Sequence, residues 1–209
     1  MPPILALGRA ATAAGRRTRP CLVAMAEQWQ TESLLARAPR PADHDGYLDL
    51  FLDPAIGARL RPAPLSPFTE AEILGMLIGD EAHWDEHGFG AWTLLARESG
   101  ELVGRGGLRW TELADGRAVE LPWAIASAHW NRGLATEAAR AAVGWAQELR
   151  LPEAVALILA GNGPSRRVAE KAGLKLDGEA THAGLPHLIY RWRLLPRGRP
   201  KHNRNSFST

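Results

Sequence analysis

The segment WNRGLAT, residues 130–136, passes through Arg132-Gly133 into an Ala-rich helical pattern whose first turn holds no Asp or Glu before Glu137. Glycine in a strand-to-helix turn lets the backbone approach a ligand without a Cβ. The unpaired amides of a first helical turn, aided by the helix dipole, attract an anion. Thr136 could add a hydroxyl. About thirty residues later NGPS, residues 162–165, sets an Asn and a Ser at the start of a second helix. The chemistry suggested is anion binding beside polar side chains, although each segment alone is also an ordinary helix start.

Competing ligand motifs are weaker. There is no GxxxxGK[ST] phosphate loop, and GNGPSR at 161–166 supplies only the first two glycines of GxGxxG, with Arg166 where close helix packing wants Gly or Ala. HWDEH at 83–87 has the HxxEH order of an inverted zinc peptidase. Gly88 ends that helix at once and no third ligand is marked. A solvated helix end with Trp84 packed inward is the simpler reading, and no metal is expected.

The elements that must carry these groups follow from periodicity and punctuation. Residues 33–38 read as a first strand, and Pro41-Ala-Asp opens a helical pattern through Leu48, Phe51 and Leu52. Residues 69–87 predict a capped helix, with Thr69 first, Glu70 and Glu72 in the opening turn, and Ile73, Leu74, Leu77 and Ile78 on one face. Residues 91–97 and 102–110 predict a hairpin joined by ESGE. Residues 118–126 predict a strand that Pro122 damages in the middle, since Pro donates nothing to a ladder.

The long helix follows, striped by Leu134, Ala138, Ala142, Trp145 and Leu149, with small residues that let it lie close on a sheet. AVALILA, after Pro152, reads as a strand covered on both faces. A short helix closes at Gly173, and residues 174–182 and 188–195 supply two last strands. The order β-α-α-β-β-β-α-β-α-β-β predicts a single mixed α/β domain over residues 29–195.

Composition bounds the class. The 209 residues can bury a substantial core, and the single Cys21 excludes a disulfide framework, which suits a reducing, cytoplasmic setting. No apolar run approaches the ~20 residues of a membrane span, so no membrane partner is expected. The formal charge of +2 hides an asymmetry. Residues 1–26 hold four Arg and residues 191–209 hold five Arg and one Lys, with no acid in either. The stretch between therefore carries all 23 acids, and its negative balance predicts a cationic small partner. Residues 1–28 read as a basic extension, with Met25 an alternative start, and 196–209 as a basic tail. Without aromatic interleaving these ends read as solvated, and nucleic acid is not expected as a partner.

Taken together, EHGFGAW, GELVGRGGLR, VELPWAI, HWNRGLATEAARA, NGPSRRVAEKAGLK and GLPHLIYRW occur in the order and spacing of one family. The chain resembles the GNAT superfamily of acetyl-CoA-dependent N-acetyltransferases, in particular its Rim-type branch of ribosomal-protein N-terminal acetyltransferases, over about four fifths of its length. The resemblance implies a single-domain GNAT fold, with a mixed, mostly antiparallel central sheet splayed in the middle and helices on both faces. It implies that the pyrophosphate of coenzyme A lies on the loop at Arg132, Gly133, Leu134, Ala135 and Thr136. Trp130 departs from the Gln or Arg usual there, and Pro122 from a frequent Gly. The pantetheine arm would lie along Trp123, Ala124 and Ile125, whose main chain polarises the thioester carbonyl. Asn162 would bond the pantetheine, and Ser165 would protonate the departing thiolate.

Glu120 is the expected base, acting through water, because it lies on the opened strand shortly before the segment that would hold the cofactor, with Tyr190 a reserve acid. Trp84, Phe89, Trp92 and His187 are candidates to line the acceptor site. The implied reaction is direct attack of a primary amine on the acetyl thioester with both substrates bound. An α-amine with pKa about 7.7–8.0 is roughly 10–20% neutral at pH 7, whereas a lysine near 10.4 is below ~0.1% neutral. A weak base therefore suits a protein or peptide N-terminus as acceptor. A small polyamine, amino acid or aminoglycoside-like antibiotic stays open as the acceptor, as does a non-catalytic acetyl-CoA-binding or RNA-associated module. A homodimer is also left open.

Overall fold

The computed structural model describes residues 28–113 and 116–194. The basic extension up to residue 27, the alternative start at Met25 and the tail from 196 lie outside the described residues. An additional edge strand, β1 (Gln28–Gln30), precedes the expected first strand, β2 (Leu34–Arg37), and pairs with it antiparallel. Its Trp29 meets Trp92 edge-on at 5.2 Å, which explains why so short a strand is held.

Pro41-Ala-Asp forms only a short 3-10 turn before α1 (His44–Phe51). A helix not expected from the sequence comes next, α2 (Pro54–Leu60). Its local cause is Asp53, whose carboxylate accepts from the Ala55 amide at 2.8 Å, with Pro54 at the first position, where a missing N–H costs nothing. The capped helix is α3 (Glu70–His87). Thr69 Oγ1 accepts from the Glu72 amide at 3.3 Å, Glu72 accepts from the Thr69 amide at 2.8 Å, and Gly88 ends the helix at φ 68°.

The hairpin β3 (Ala91–Ala96) and β4 (Leu102–Gly107) forms as expected, but the strand read as 102–110 breaks, so that β5 (Arg109–Leu113) is separate. The strand read as 118–126 breaks likewise into β6 (Gly116–Glu120) and β7 (Trp123–Ile125), on either side of Pro122. Then come α4 (Leu134–Glu148), β8 (Glu153–Leu159), α5 (Gly163–Lys171), β9 (Lys175–His182) and β10 (Leu185–Arg193). The two breaks divide the strands into β1-β2-β3-β4-β7 and β5-β6-β8-β10-β9, each antiparallel except for the parallel pair β6–β8.

Neighbouring strand residues point to opposite faces, and the cores follow that alternation. Leu102 and Ala124 pack with Tyr47, Leu50, Ile73 and Leu77 under α1–α3. Val103 and Ile125 pack with Leu134, Ala138, Ala142 and Ala146 of α4 on the other face. Helices thus cover both faces. Arg191 and Arg193, counted above with the basic end, belong to β10 and pair with Asp177 and Glu153.

Candidate active site

Pro122 stands where the two sheets part. The Leu121 amide still donates to the Val155 carbonyl at 2.7 Å, and Glu120 faces Val155 in the ladder. Beyond Pro122 the chain leaves β8, and β7 pairs with β4 through Trp123, Ala124 and Ile125. Gly104 permits that close pairing, since a Cβ there would lie 2.4 Å from the Ala124 carbonyl oxygen. The far edge of β8 is taken by β10. A groove opens between Pro122, Trp123 and Ala124 on one side and Ala156 to Leu159 on the other. The sheet is splayed as the sequence predicts.

The groove continues to the first turn of α4, in a cavity of about 460 Å³. Asn131 and Gly133 both take left-handed conformations, φ 61° and 83°, to make the turn. Trp130 fixes the turn from below, its Nε1 donating to the Ile125 carbonyl at 2.6 Å. The first helical bond runs from the Glu137 amide to the Gly133 carbonyl at 3.0 Å. Among the described residues, the amides of Leu134, Ala135 and Thr136 bond no acceptor. Gly133, Leu134, Ala135 and Thr136 line the cavity with Trp123, Ala124 and Ile125. His129, Arg167 and Lys171 surround it with cationic or protonatable groups, and the donor set fits a pyrophosphate ester joined to a long, partly apolar arm. Arg132 is exposed and does not itself line the cavity; its Nη1 lies 3.0 Å from Nδ1 of the lining His129.

Asn162 lies at the junction of the groove with α5. Its side-chain oxygen accepts from the Ser165 amide at 3.3 Å, and its Nδ2 donates to the Arg59 carbonyl at 3.3 Å. It is 8% exposed. Arg59 belongs to α2, and its guanidinium lies 4.2 Å above the Trp130 ring. Ser165 lines the groove, and its hydroxyl bonds no described residue.

Glu120, half-buried at the end of β6, lines the other end of the groove with Ser165, Arg59, Arg105, Arg109 and His187. His187 Nδ1 lies 2.9 Å from the Leu185 carbonyl oxygen. A carbonyl only accepts, so that nitrogen carries the proton and Nε2 is left as the acceptor. Of the four residues expected to line the acceptor site, His187 alone lines this groove. Trp84, Phe89 and Trp92 are core residues, 8%, 7% and 0% exposed: Trp92 stands on β3, which is covered on both faces, and Trp84 of α3 and Phe89 just beyond it pack into the same core. Trp84 Nε1 donates instead to the Ala91 carbonyl at 2.7 Å. Phe51, Leu60, Phe68 and Met76 form the wall in their place. Tyr190 lies outside the groove, its hydroxyl accepting from Arg166 at 3.2 Å and donating to Glu170 at 3.3 Å.

Both nitrogens of His83 are engaged: Nδ1 donates to the Phe89 carbonyl at 2.7 Å, and Nε2 accepts from the Trp110 amide at 3.0 Å. HWDEH is thus a structural joint between α3 and the strands. Among the described residues, no group of three or more His, Cys, Asp or Glu could hold a metal, and no helix is long and apolar enough to cross a membrane. Sequence reasoning missed Arg59, Arg105 and Arg109. The signal for Arg59 was Asp53-Pro54, a helix start; for Arg105 it was an arginine inside the glycine-rich run Gly104-Arg105-Gly106.

Comparison with known proteins agrees with this geometry. The family model described as "Acetyltransferase (GNAT) domain" matches residues 33–175. The acetyltransferase from Agrobacterium tumefaciens str. C58 is 30% identical with a TM-score of 0.70, over 84% of this chain and 99% of that one. The uncharacterized protein YkkB of Bacillus subtilis (strain 168) is 34% identical over 109 residues, 51% of this chain, and the match spans 63% of that relative's length. At 14% identity the fold alone is shared with RimL, a ribosomal L7/L12 alpha-N-protein acetyltransferase in complex with coenzyme A (TM-score 0.62, 78% of this chain, 96% of that one). The chain belongs to the GNAT acetyltransferase family.

Proposed function

We propose that the chain is an acetyl-CoA-dependent N-acetyltransferase acting on an α-amine of a protein or peptide, in the manner of the Rim-type branch. The observation that carries the reading is the groove between β7 and β8 that ends on the bond-free amides of Leu134, Ala135 and Thr136. Acetyl-CoA supplies the thioester that the amine attacks.

This chain's residues divide the remaining tasks. Gly133, Leu134, Ala135 and Thr136 hold the pyrophosphate, Arg132 adding charge at the rim, and the main chain of Trp123, Ala124 and Ile125 holds the arm and polarises the carbonyl. Asn162 steadies the start of α5, so that the Ser165 hydroxyl can give a proton to the departing thiolate. Glu120 takes the amine's proton through water. The lone Cys21 suits a reducing, cytoplasmic setting.

The test is a thermal-shift titration with acetyl-CoA on the parent and on Gly133→Glu. A ligand bound only to the folded state raises stability by RT ln(1 + [L]/Kd). A Cβ at Gly133 meets nothing within 4 Å, so the variant is expected to fold, at a cost of about 1–2 kcal/mol for a non-Gly residue in a left-handed position, and its melting curve checks this. A saturating rise in the parent that Gly133→Glu lacks is the expected result. No rise in a folded parent refutes the reading.

A further inference from the structure

The acceptor end of the groove, a cavity of about 250 Å³, has a charge opposite to the balance of the chain around it. Three arginines line it, Arg59, Arg105 and Arg109, against one carboxylate, Glu120. The cationic partner suggested by the acidic middle of the sequence is therefore at odds with the local lining.

Arg105 is a built feature. It is 6% exposed and stands on β4 between two glycines. Asp80 of α3 receives its Nε at 2.5 Å and its Nη2 at 2.6 Å, with the Tyr47 hydroxyl 3.4 Å from the same carboxylate. The pair fixes the plane of the guanidinium while using two of its five N–H donors. Nη1 bonds no described residue. Arg109 lies directly opposite Glu120 across the β5–β6 ladder. It makes no ion pair with Glu120 or with any other described carboxylate, although both line the same cavity. Opposed residues on one face stand about 5 Å apart.

We propose that the acceptor amine carries a carboxylate, which Arg105 and Arg109 hold while Glu120 faces the nitrogen. This rests on the acetyltransferase reading above. A cation and an anion one ladder rung apart match a substrate whose amine and carboxylate are a few bonds apart. A polyamine or aminoglycoside would bring several positive charges against the arginines, an arrangement that rejects them. In the transfer the amine nitrogen forms a bond to the acetyl carbon as the carbon–sulfur bond breaks. One proton leaves the nitrogen for Glu120 or water and one reaches the thiolate, giving an N-acetyl carboxylate and coenzyme A.

The experiment measures thiol release by the full chain with acetyl-CoA. The acceptors are free amino acids, the same amino acids as α-amides, short peptides with Asp or Glu at the first or second position, spermidine and an aminoglycoside. Carboxylate-bearing amines should be turned over, and amidation should raise KM at least tenfold. Arg109→Gln, checked for folding by its melting curve, should abolish that difference by raising KM for the acids. Turnover of free amino acids above their amides, or of acidic peptides above the same peptides with Asn or Gln in place of Asp or Glu, supports the proposal, and the larger of the two differences locates the carboxylate. It is overturned if spermidine or the aminoglycoside is acetylated as well as the acids, if neither neutralisation has an effect, or if no carboxylate amine reacts. A melting-temperature rise with acetyl-CoA in those cases leaves the acetyltransferase reading standing; its absence removes both.

Discussion

Asn162 Nδ2 donates to the Arg59 carbonyl oxygen at 3.3 Å, joining two residues 103 positions apart. The same side chain caps α5 through the Ser165 amide, so one buried amide group ties α2 to the helix that presents the proposed proton donor.

Replacing Asn162 separates those two tasks. Asn162→Ala removes cap and tie, and a lost cap alone costs about 1 kcal/mol, or roughly 2–4 °C in Tm for a chain of this size. Asn162→Asp keeps the cap acceptor and loses the donor to Arg59. The expected outcome is a smaller Tm loss for Asp than for Ala, with a several-fold rise in the acetyl-CoA Kd for both. Unchanged Kd in both variants would show that the tie does not shape the groove.

Glu120 is the only carboxylate lining the acceptor end of the groove among the described residues. General-base catalysis contributes about 10²–10⁴-fold, so Glu120→Gln should lower kcat by about 100-fold or more. Its acetyl-CoA Kd, measured by titration calorimetry, should stay within about twofold, because the pyrophosphate site proposed at Gly133–Thr136 is at the far end. A kcat that survives would pass the base role to water or to the free Nε2 of His187.

Gly104 and the Ala124 carbonyl approach so closely that a methyl group has no room: its nearest neighbour, at 2.4 Å, is backbone. Gly104→Ala must therefore move β7, the strand that borders the groove. Overpacking of this kind costs about 1–3 kcal/mol, and the melting curve should show it. The displaced strand should also weaken acetyl-CoA binding. Gly133→Ala, where a Cβ meets open space, should lose only the smaller cost of its backbone conformation.

The parts of the fold legible in the sequence were those with a local cause. Thr69 and Glu72 cap α3 as their spacing predicts, and Pro122 parts the strands because it cannot donate. The turn into α4 was legible through Gly133, which takes the left-handed conformation there. What the sequence did not reveal depends on contacts between distant segments. Trp84 and Trp92 read equally well as site or core until packing buried both. Arg105 becomes a fixed donor only because Asp80, 25 residues earlier, meets it. The charge of the acceptor pocket was hidden for the same reason, since net charge is a sum over the surface and the lining is chosen by topology.

His83 gives the last prediction, a pH dependence with a definite sign. Burial lowers its pKa from the ordinary value of 6.5, more than its bond to the Phe89 carbonyl raises it, with nearby His87 and Arg109 pushing the same way as burial. The neutral ring is what the site accepts, since Nε2 must take the Trp110 N–H. Between the lowered folded value and about 6.5 the unfolded chain binds more protons than the folded one, so stability rises with pH there. Its contribution is complete above about 6.5 and is lost as pH falls through the folded pKa. His83→Gln does not titrate. At pH 7 it should be the less stable by about 1 kcal/mol for one poorer hydrogen bond. From pH 7 to 5 the parent's Tm should fall faster than the variant's, so the gap between the two curves narrows. Curves that stay parallel over that range would mean that His83 does not change protonation on folding.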